Sequence, residues 1–391
     1  MKGRVILIDM PKERASQAAL LVDGRLEDLL LDPPEGRRIP APGRIYWAKV
    51  DRLVPKMGGA FVKLTSKQSG FLREAKGLKE GQGVIVQVSS YAEPGKATPV
   101  TPRVLYKGRR LIHTPGAPGI NVSRRIRDPE QRSRHIEVIG RALAEWESEG
   151  KALEGAGFIV RSAAEGAPEQ ELAAELALLL GERASVEARV KQGADEGRLT
   201  FAVSLIPALR EWSFPDPIEI AATKSPHRFL ATLGDDLGPV NLWGSQSLHD
   251  RLRRFDGPDL FDHYGVWDEI ERLKSPRADL PSGAWMAVEA TRAMVTVDVN
   301  TAGEFGGGAA LTANLEAARE LPRQLRLRGF GGQVIIDFAP LRKSDRKRIE
   351  EALKTAFRRD PIETSLAGWT PLGNFELQRK RERRPLTELL A

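Results

Sequence analysis

The chain has 391 residues, 41% hydrophobic and 29% charged, and contains no cysteine. That length suits two to four packed domains, and the missing thiol excludes disulfides, thiolate zinc sites and cysteine nucleophiles. Net charge is +7 with a pI near 9.6. The excess is clustered at Arg124-Arg125, in five basic residues of seven from Arg342 to Arg348, and in five of six from Arg379 to Arg384. Clustered cations favour a polyanionic partner, although a solvated helix face has the same composition. The apolar run in the opening MKGRVILIDM is broken at Asp9 and is too short for a signal peptide. No stretch approaches the ~18 apolar residues of a membrane span, so a cytoplasmic protein is expected.

Residues 4–8 and 19–22 have strand patterns, and Asp23-Gly24 is a turn signal between two short runs. The Pro-rich stretch 39–43 predicts a boundary. Between 43 and 111, short apolar runs at 44–50, 60–63, 70–72 and 83–88, and one through Leu105, are closely punctuated by Gly and Pro. Such spacing predicts a small five-stranded barrel. Phe61 and Phe71 fall inside it, with Lys63, Lys96 and Arg103 nearby. Aromatics with basic neighbours suit base stacking and phosphate pairing on a single strand; ordinary core packing is the other reading for either ring.

Helices are predicted over 131–149 and 168–182, with a strand at 157–160 ending at Arg161-Ser162. Strands are predicted at 186–190 and 200–204, and 245–274 is predicted helical; 216–222 and 237–243 are ambiguous. Pro276 to Gly283 forms a second joint. Beyond it, strands at 285–289 and 293–299 precede a helix at 310–328, with a kink or break expected at Pro322. A strand at 333–338 follows, then a helix at 345–358 with Ile349, Leu353, Ala356 and Phe357 on one face and Ser344 as N-cap.

Two β-branched runs, VTVDVNT at 295–301 and GGQVIIDF at 331–338, each hold one carboxylate. Asp298 and Asn300 are two apart and share a face of a strand. A carboxylate buried in such a run is costly unless it is paired or holds a cation. Two of them on neighbouring strands would make a hard oxygen site suited to Mg²⁺. Each Asp could instead end a strand or cap a turn.

In order and spacing, DLFDHYGVWDEIE, LPSGAWMAVEATRAMVTVDVNT, ANLEAARELPRQLRLRGFGG and IIDF resemble the catalytic region of the ribonuclease E/G family, bacterial single-strand endoribonucleases. IYWAKVDRLVPKMGGAFVKLTSKQSGFL resembles that family's inserted S1 domain, and GINVSRRI and GFIVRSA resemble its segments that bind an RNA 5′ end. The resemblance implies an α/β multidomain chain. An RNase H-like part is expected at 1–36 and 200–272, an S1 (OB-fold) barrel at 37–111, a 5′-sensor region at 112–199 and a DNase I-like catalytic part at 273–391.

The resemblance also implies roles. Asp298 and Asp337 match magnesium-binding aspartates, with Mn²⁺ as a substitute ion and no zinc, and Asn300 matches the asparagine beside the scissile phosphate. Arg161 and Ser162 match the pair gripping a 5′-monophosphate, with Gly119 and Val122 as backbone contacts; Phe61, Phe71 and Lys96 match RNA-contacting positions. The implied activity is Mg²⁺-dependent cleavage of single-stranded RNA in processing or decay, with preference for 5′-monophosphorylated ends.

Three departures are visible. The given chain lacks the family's cysteine zinc link and the small domain after it, so a monomer or weak dimer is expected rather than a zinc-linked tetramer. Phe338-Ala339-Pro340-Leu341 stands where longer members place another acidic residue, and Thr301 to Gly308 is short and Gly-rich. These keep open a second reading, a weakly active or non-catalytic RNA-binding or ribosome-maturation factor of the same fold.

Overall fold

Continuous apolar runs and a two-residue turn set the first element. Strands β1 (Arg4–Asp9), β2 (Gln17–Val22) and β3 (Arg25–Leu31) form an antiparallel meander. Asp23 and Gly24 join β2 to β3 with φ of 51° and 80°, the left-handed pair that suits a tight hairpin. The computed structural model describes residues 3–9, 17–31, 39–93, 95–150, 155–193, 197–199, 212, 219–223, 252–301, 303 and 307–390. The expectations for 200–204 and 237–243, and for most of the loop after Thr301, lie outside the described residues. The chain divides into two units, one of Met1–Gly36 with Asp256–Ala391 and one of Arg37–Phe255. Among the described residues no helix is long and apolar enough to cross a membrane.

The second unit begins with β4 (Ile45–Val54), β5 (Gly59–Thr65), β6 (Gln68–Leu72), β7 (Gly83–Val88) and β8 (Thr98–Thr101). Their order is β4-β5-β6-β8-β7, and β7 pairs back onto β4, which closes a five-stranded barrel. Strand alternation sends Val50, Ala60, Val62, Leu64, Leu72, Val86, Val88 and Val100 into the barrel core.

Next come β9 (Tyr106–Lys107), β10 (Leu111–His113), β11 (Gly119–Val122), helix α1 (Pro129–Ser148), β12 (Gly157–Val160) and helix α2 (Glu169–Lys191). Their sheet runs β11-β12-β10-β9, with β11 and β12 parallel and α1 between them in the chain. Asp128 caps α1 by accepting from the Glu130 amide, as an N-cap carboxylate should. α2 runs through 186–190, where a strand was expected. Val186 is buried on the same face as Leu172, Leu176, Leu179 and Arg183, so packing at helical spacing overrides the β-branched residues. β13 (Gly197–Arg198) adds to the edge of β4. β14 (Glu219–Ala222) and β15 (Leu252–Arg254) pair in parallel, so the helix expected over 245–274 is a strand in that part.

The first unit resumes with α3 (Leu260–His263), α4 (Val266–Lys274), β16 (Arg277–Asp279), β17 (Trp285–Ala290) and β18 (Val295–Asn300). It continues with α5 (Gly307–Arg328), β19 (Gly332–Asp337), α6 (Arg346–Arg359), β20 (Thr364–Trp369), β21 (Phe375–Arg379) and α7 (Leu386–Leu390). The sheet order is β16-β17-β18-β19-β21-β20. β18 and β19 are parallel and joined through α5, the helical crossover that a parallel pair requires. Val295, Val297, Val299, Val334 and Ile336 share a core with Ala313, Ala317, Leu321 and Leu325 of α5 and with Ile349, Leu353 and Phe357 of α6.

One helix expectation is narrowed, since the chain does not break at Pro322, and one is corrected. α5 continues through Pro322: the proline removes one hydrogen bond, while Leu321 and Leu325 on either side are buried against the sheet. Ser344 is not the N-cap of α6. It lies in a single 3₁₀ turn over Lys343–Asp345, and the helix starts after Asp345.

Candidate active site

Asp298 is the cross-strand partner of Asp337 in the parallel β18–β19 pair. Both carboxylates are exposed, which overturns the expectation that they are buried. Their neighbours Val297, Val299 and Ile336 take the core side, so alternation turns the aspartates outward. Desolvation therefore gives no argument for a cation here. Adjacency does: two carboxylates side by side repel one another, and a divalent ion relieves that repulsion. The Asn300 Nδ2 donates to Asp298 Oδ2 at 2.8 Å, so these two residues share the open face as their spacing predicts.

The donors are hard oxygens, which fit Mg²⁺ or Mn²⁺. Among the described residues no group of three or more His, Asp or Glu is placed to hold a metal ion. Mg²⁺ commonly uses one or two carboxylates and completes its shell with water and substrate phosphate, so the pair is compatible with it.

The turn after Asp337 is held by a residue that the sequence reading missed. Asn314 of α5 is fully buried; its Nδ2 donates to the Ala339 carbonyl and its Oδ1 accepts from the Ala339 amide, both at 2.9 Å. A buried amide needs such partners, and these fix where β19 ends. The signal was a lone Asn on an otherwise apolar helix face.

In the second unit, parallel β11 and β12 end together, with Val122 beside Val160 and the Ser123 amide donating to the Val160 carbonyl at 2.8 Å. Arg161 and Ser162 follow at this end. The Arg161 Nη1 donates to the Gly108 carbonyl at 2.7 Å. Val122 is buried in the core, and its carbonyl accepts from Arg132. Gly119 lies at the opposite end of β11, beside Gly157, three residues or ~10 Å away. The structure thus gathers Val122, Arg161 and Ser162 but not Gly119. Arg132 of α1, also missed, donates to the carbonyls of Val122, Ser123 and Ile126 and so holds the loop that carries exposed Arg124 and Arg125.

On the barrel, Arg52, Phe61, Phe71 and Pro99 form one cross-strand row. The two rings meet edge to face, with centroids 5.2 Å apart, and the Arg52 guanidinium lies 5.1 Å from the Phe61 ring centre. Both rings are half-buried and stand outside the barrel core. A Cβ at Gly59 would come within 2.7 Å of the Phe71 ring and of the Leu72 carbonyl oxygen, so glycine there makes room for Phe71. Lys96 is exposed, ion-paired with Glu93, and lies two residues before β8. Arg52 was not singled out from the sequence, because only the strand register shows that it faces Phe61.

The family model for the Ribonuclease E/G family matches residues 106–382. The chain belongs to the ribonuclease E/G family. It is 29% identical to ribonuclease G of Salmonella typhimurium (strain SL1344) over 100% of this chain and 82% of that relative. With ribonuclease G of Haemophilus influenzae (strain ATCC 51907 / DSM 11121 / KW20 / Rd) it shares 28% over 96% of this chain and 79% of the relative. Ribonuclease E of Escherichia coli (strain K12) is 28% identical over 96% of this chain, which covers 37% of that longer relative. Within this ribonuclease E/G chain, Asp298, Asn300 and Asp337 all fall inside the matched span, as do Arg161 and Ser162, whereas the rings of the barrel precede it.

Proposed function

We propose that this ribonuclease E/G chain is an endoribonuclease of RNA processing that cuts single-stranded RNA with a Mg²⁺ ion held by Asp298 and Asp337, and that it favours 5′-monophosphorylated ends. The observation that carries the reading is the adjacency of Asp298 and Asp337, with Asn300 bonded to the first, on an open sheet face of a ribonuclease E/G chain. Under this reading the first unit includes the DNase I-like part at 273–391, and the barrel is the S1 domain. The sensor is at 112–199, and an RNase H-like part takes 1–36 with 200–272.

Asp298 and Asp337 would hold the divalent cation, which when bound would supply positive charge to phosphoryl oxygens and acidify a water molecule. The chain does the rest by position. Phe61 and Phe71 offer ring faces and edges for stacking, Arg52 and Lys96 offer charge to the backbone, and such contacts hold a single strand with little regard to sequence. One Asn300 amide hydrogen is engaged by Asp298, which leaves the other to donate to a phosphate oxygen. Arg161 donates to a terminal phosphate in a charge-assisted way, and the Ser162 hydroxyl adds a further bond.

The test uses one single-stranded oligonucleotide bearing either a 5′-monophosphate or a 5′-hydroxyl, incubated with Mg²⁺ or with EDTA. The parental protein should cut only with Mg²⁺ and faster on the monophosphate. Asp298→Asn and Asp337→Asn should abolish cutting while binding persists, since affinity comes mainly from phosphate contacts and stacking. Arg161→Ala should erase the end preference and leave the hydroxyl substrate unaffected. Cutting by both aspartate variants at the parental rate would refute the site, and binding without cutting by the parental protein would leave an RNA-binding factor as the function.

A further inference from the structure

The open face of the catalytic sheet carries an aromatic that the sites above do not use. Trp285 opens β17 and is the direct cross-strand partner of Asn300 on one side and of Asp279 on the other. In the adjacent row, Arg277, Ala287, Asp298 and Asp337 face one another across four strands. Trp285 is therefore one strand away from Asn300 and diagonal to Asp298. It is half-buried, and it stands apart from the sheet's core cluster, which Trp369 and Leu366 do join. The Arg277 guanidinium lies 4.8 Å from the Trp285 ring centre and is bonded through Nε to Asp279 Oδ1 at 2.7 Å, with half of its side chain exposed.

An exposed Arg–Trp contact adds little to stability, so that contact by itself gives the sheet little reason for an indole at this place. Its chemistry suits another role. A flat indole with an oriented guanidinium is the kind of surface on which an unstacked base of single-stranded RNA lies. Its register beside Asn300 puts that surface about 7–8 Å, the diagonal cross-strand spacing, from Asp298, within reach of a nucleotide whose phosphate is at the carboxylates. We propose that Trp285 and Arg277 form a nucleobase-stacking subsite that seats a nucleotide flanking the scissile phosphate and so positions the cut. This rests on the reading that Asp298 and Asp337 are the cleavage site.

The experiment is a cycle between protein and substrate. A 5′-monophosphorylated oligonucleotide with a single cleavage site is made intact and with an abasic residue at each position flanking the cut in turn. Parental protein, Trp285→Ala, Trp285→Phe and Asp298→Asn are compared with Mg²⁺, and melting temperatures are recorded. For the parental protein, one abasic position should slow cutting about tenfold, the scale of a lost base–aromatic stack. Trp285→Ala should cut the intact substrate about tenfold more slowly and be indifferent to that abasic position, while Trp285→Phe restores most of both rate and discrimination. Should Trp285→Ala not fold, Arg277→Gln, changed at an exposed side chain, carries the same cycle with a smaller expected loss of discrimination. Equal sensitivity to every abasic position in all folded variants overturns the subsite while leaving the cleavage site intact. Undiminished cutting by Asp298→Asn overturns the cleavage site and the subsite with it.

Discussion

Phe61 and Phe71 are half-buried on the outside of the barrel, so each has two uses that substitution separates. A stacking ring lost to alanine weakens single-strand binding by about 1–3 kcal/mol. A fully buried ring such as Phe158, with 0% of its surface exposed, costs about 3–5 kcal/mol of stability when truncated. We expect Phe61→Ala and Phe71→Ala to lower affinity for a single-stranded oligonucleotide about tenfold or more while moving the melting temperature much less than Phe158→Ala does. Filter binding and thermal unfolding of the three variants check this, and a melting loss equal to that of Phe158→Ala would return the ring to the barrel's packing. The same residue-scale logic applies to Asp298 and Asp337. They are exposed, so their substitution by asparagine should be nearly silent in stability and visible in catalysis.

At the scale of the element, β10 carries a fully buried histidine into the core of the second unit. His113 is stacked on Tyr106 and tilted against Phe158, with Nδ1 2.9 Å from the Gly157 carbonyl oxygen. Burial holds its pKa below the ordinary histidine value, and Arg183 adds to that effect, while the Gly157 bond and Glu187 oppose it. The folded-state pKa is depressed, so the neutral ring is favoured in the fold. The stabilisation is fully present above the unfolded value near 6.5 and is lost as pH falls through the lower folded value. The melting temperature should therefore decline on acidification below about pH 6.5, and His113→Phe should flatten that decline. The Gly157 carbonyl keeps a partner in the variant, because the Thr114 amide also donates to it. Melting curves from neutral to mildly acidic pH provide the measurement; an unchanged slope in the variant would mean that His113 does not govern it.

At the scale of the whole molecule, the first unit is closed by charge rather than by apolar contact alone. The Asp360 side chain is fully buried between Arg326 of α5 and Arg379 of β21, with the Arg379 Nη2 at 2.8 Å. Arg326 also reaches Glu27 at 2.6 Å, and Arg383 binds both oxygens of Asp28, which ties residues of β3 to the end of the chain. Burial alone would lower the Arg326 pKa, but Asp28, Asp360 and Glu27 reverse that and raise it. Removing the shared carboxylate leaves two guanidiniums without it. Asp360→Ala should cost about 3–5 kcal/mol, a fall on the order of 10 °C for a unit of this size, and calorimetry reads it directly. A change under two degrees would show that the arginines find other partners. Assembly is the second molecular prediction. The chain has no thiolate to hold zinc, so light scattering should give a mass at low micromolar concentration that zinc chelation leaves unchanged, and a monomer or weak dimer rather than a stable tetramer.

The sequence alone determined what depends on local period and chemistry. Strand alternation placed Asp298 and Asn300 on one face, the closely punctuated short runs between 43 and 111 predicted a five-stranded barrel, and Asp23-Gly24 marked a hairpin. The order of motifs from 257 to 338 pointed to the ribonuclease E/G family. What the sequence could not determine depended on register and packing between distant segments. Asp298 meets Asp337 because α5 returns the chain parallel to β18, and nothing in either run of residues specifies that pairing. Apolar flanks suggested burial for both carboxylates, but period two sends a residue away from its neighbours, so flanking valines and isoleucines signal the opposite face. Residues 186–190 are helical because Val186 buries on the Leu-rich face of α2, a tertiary gain larger than a β-branched preference of a few tenths of a kcal/mol. Arg52, Trp285, Asn314 and Arg132 escaped notice for a common reason: each meets a partner on another strand, helix or loop, and only register or packing brings the two together.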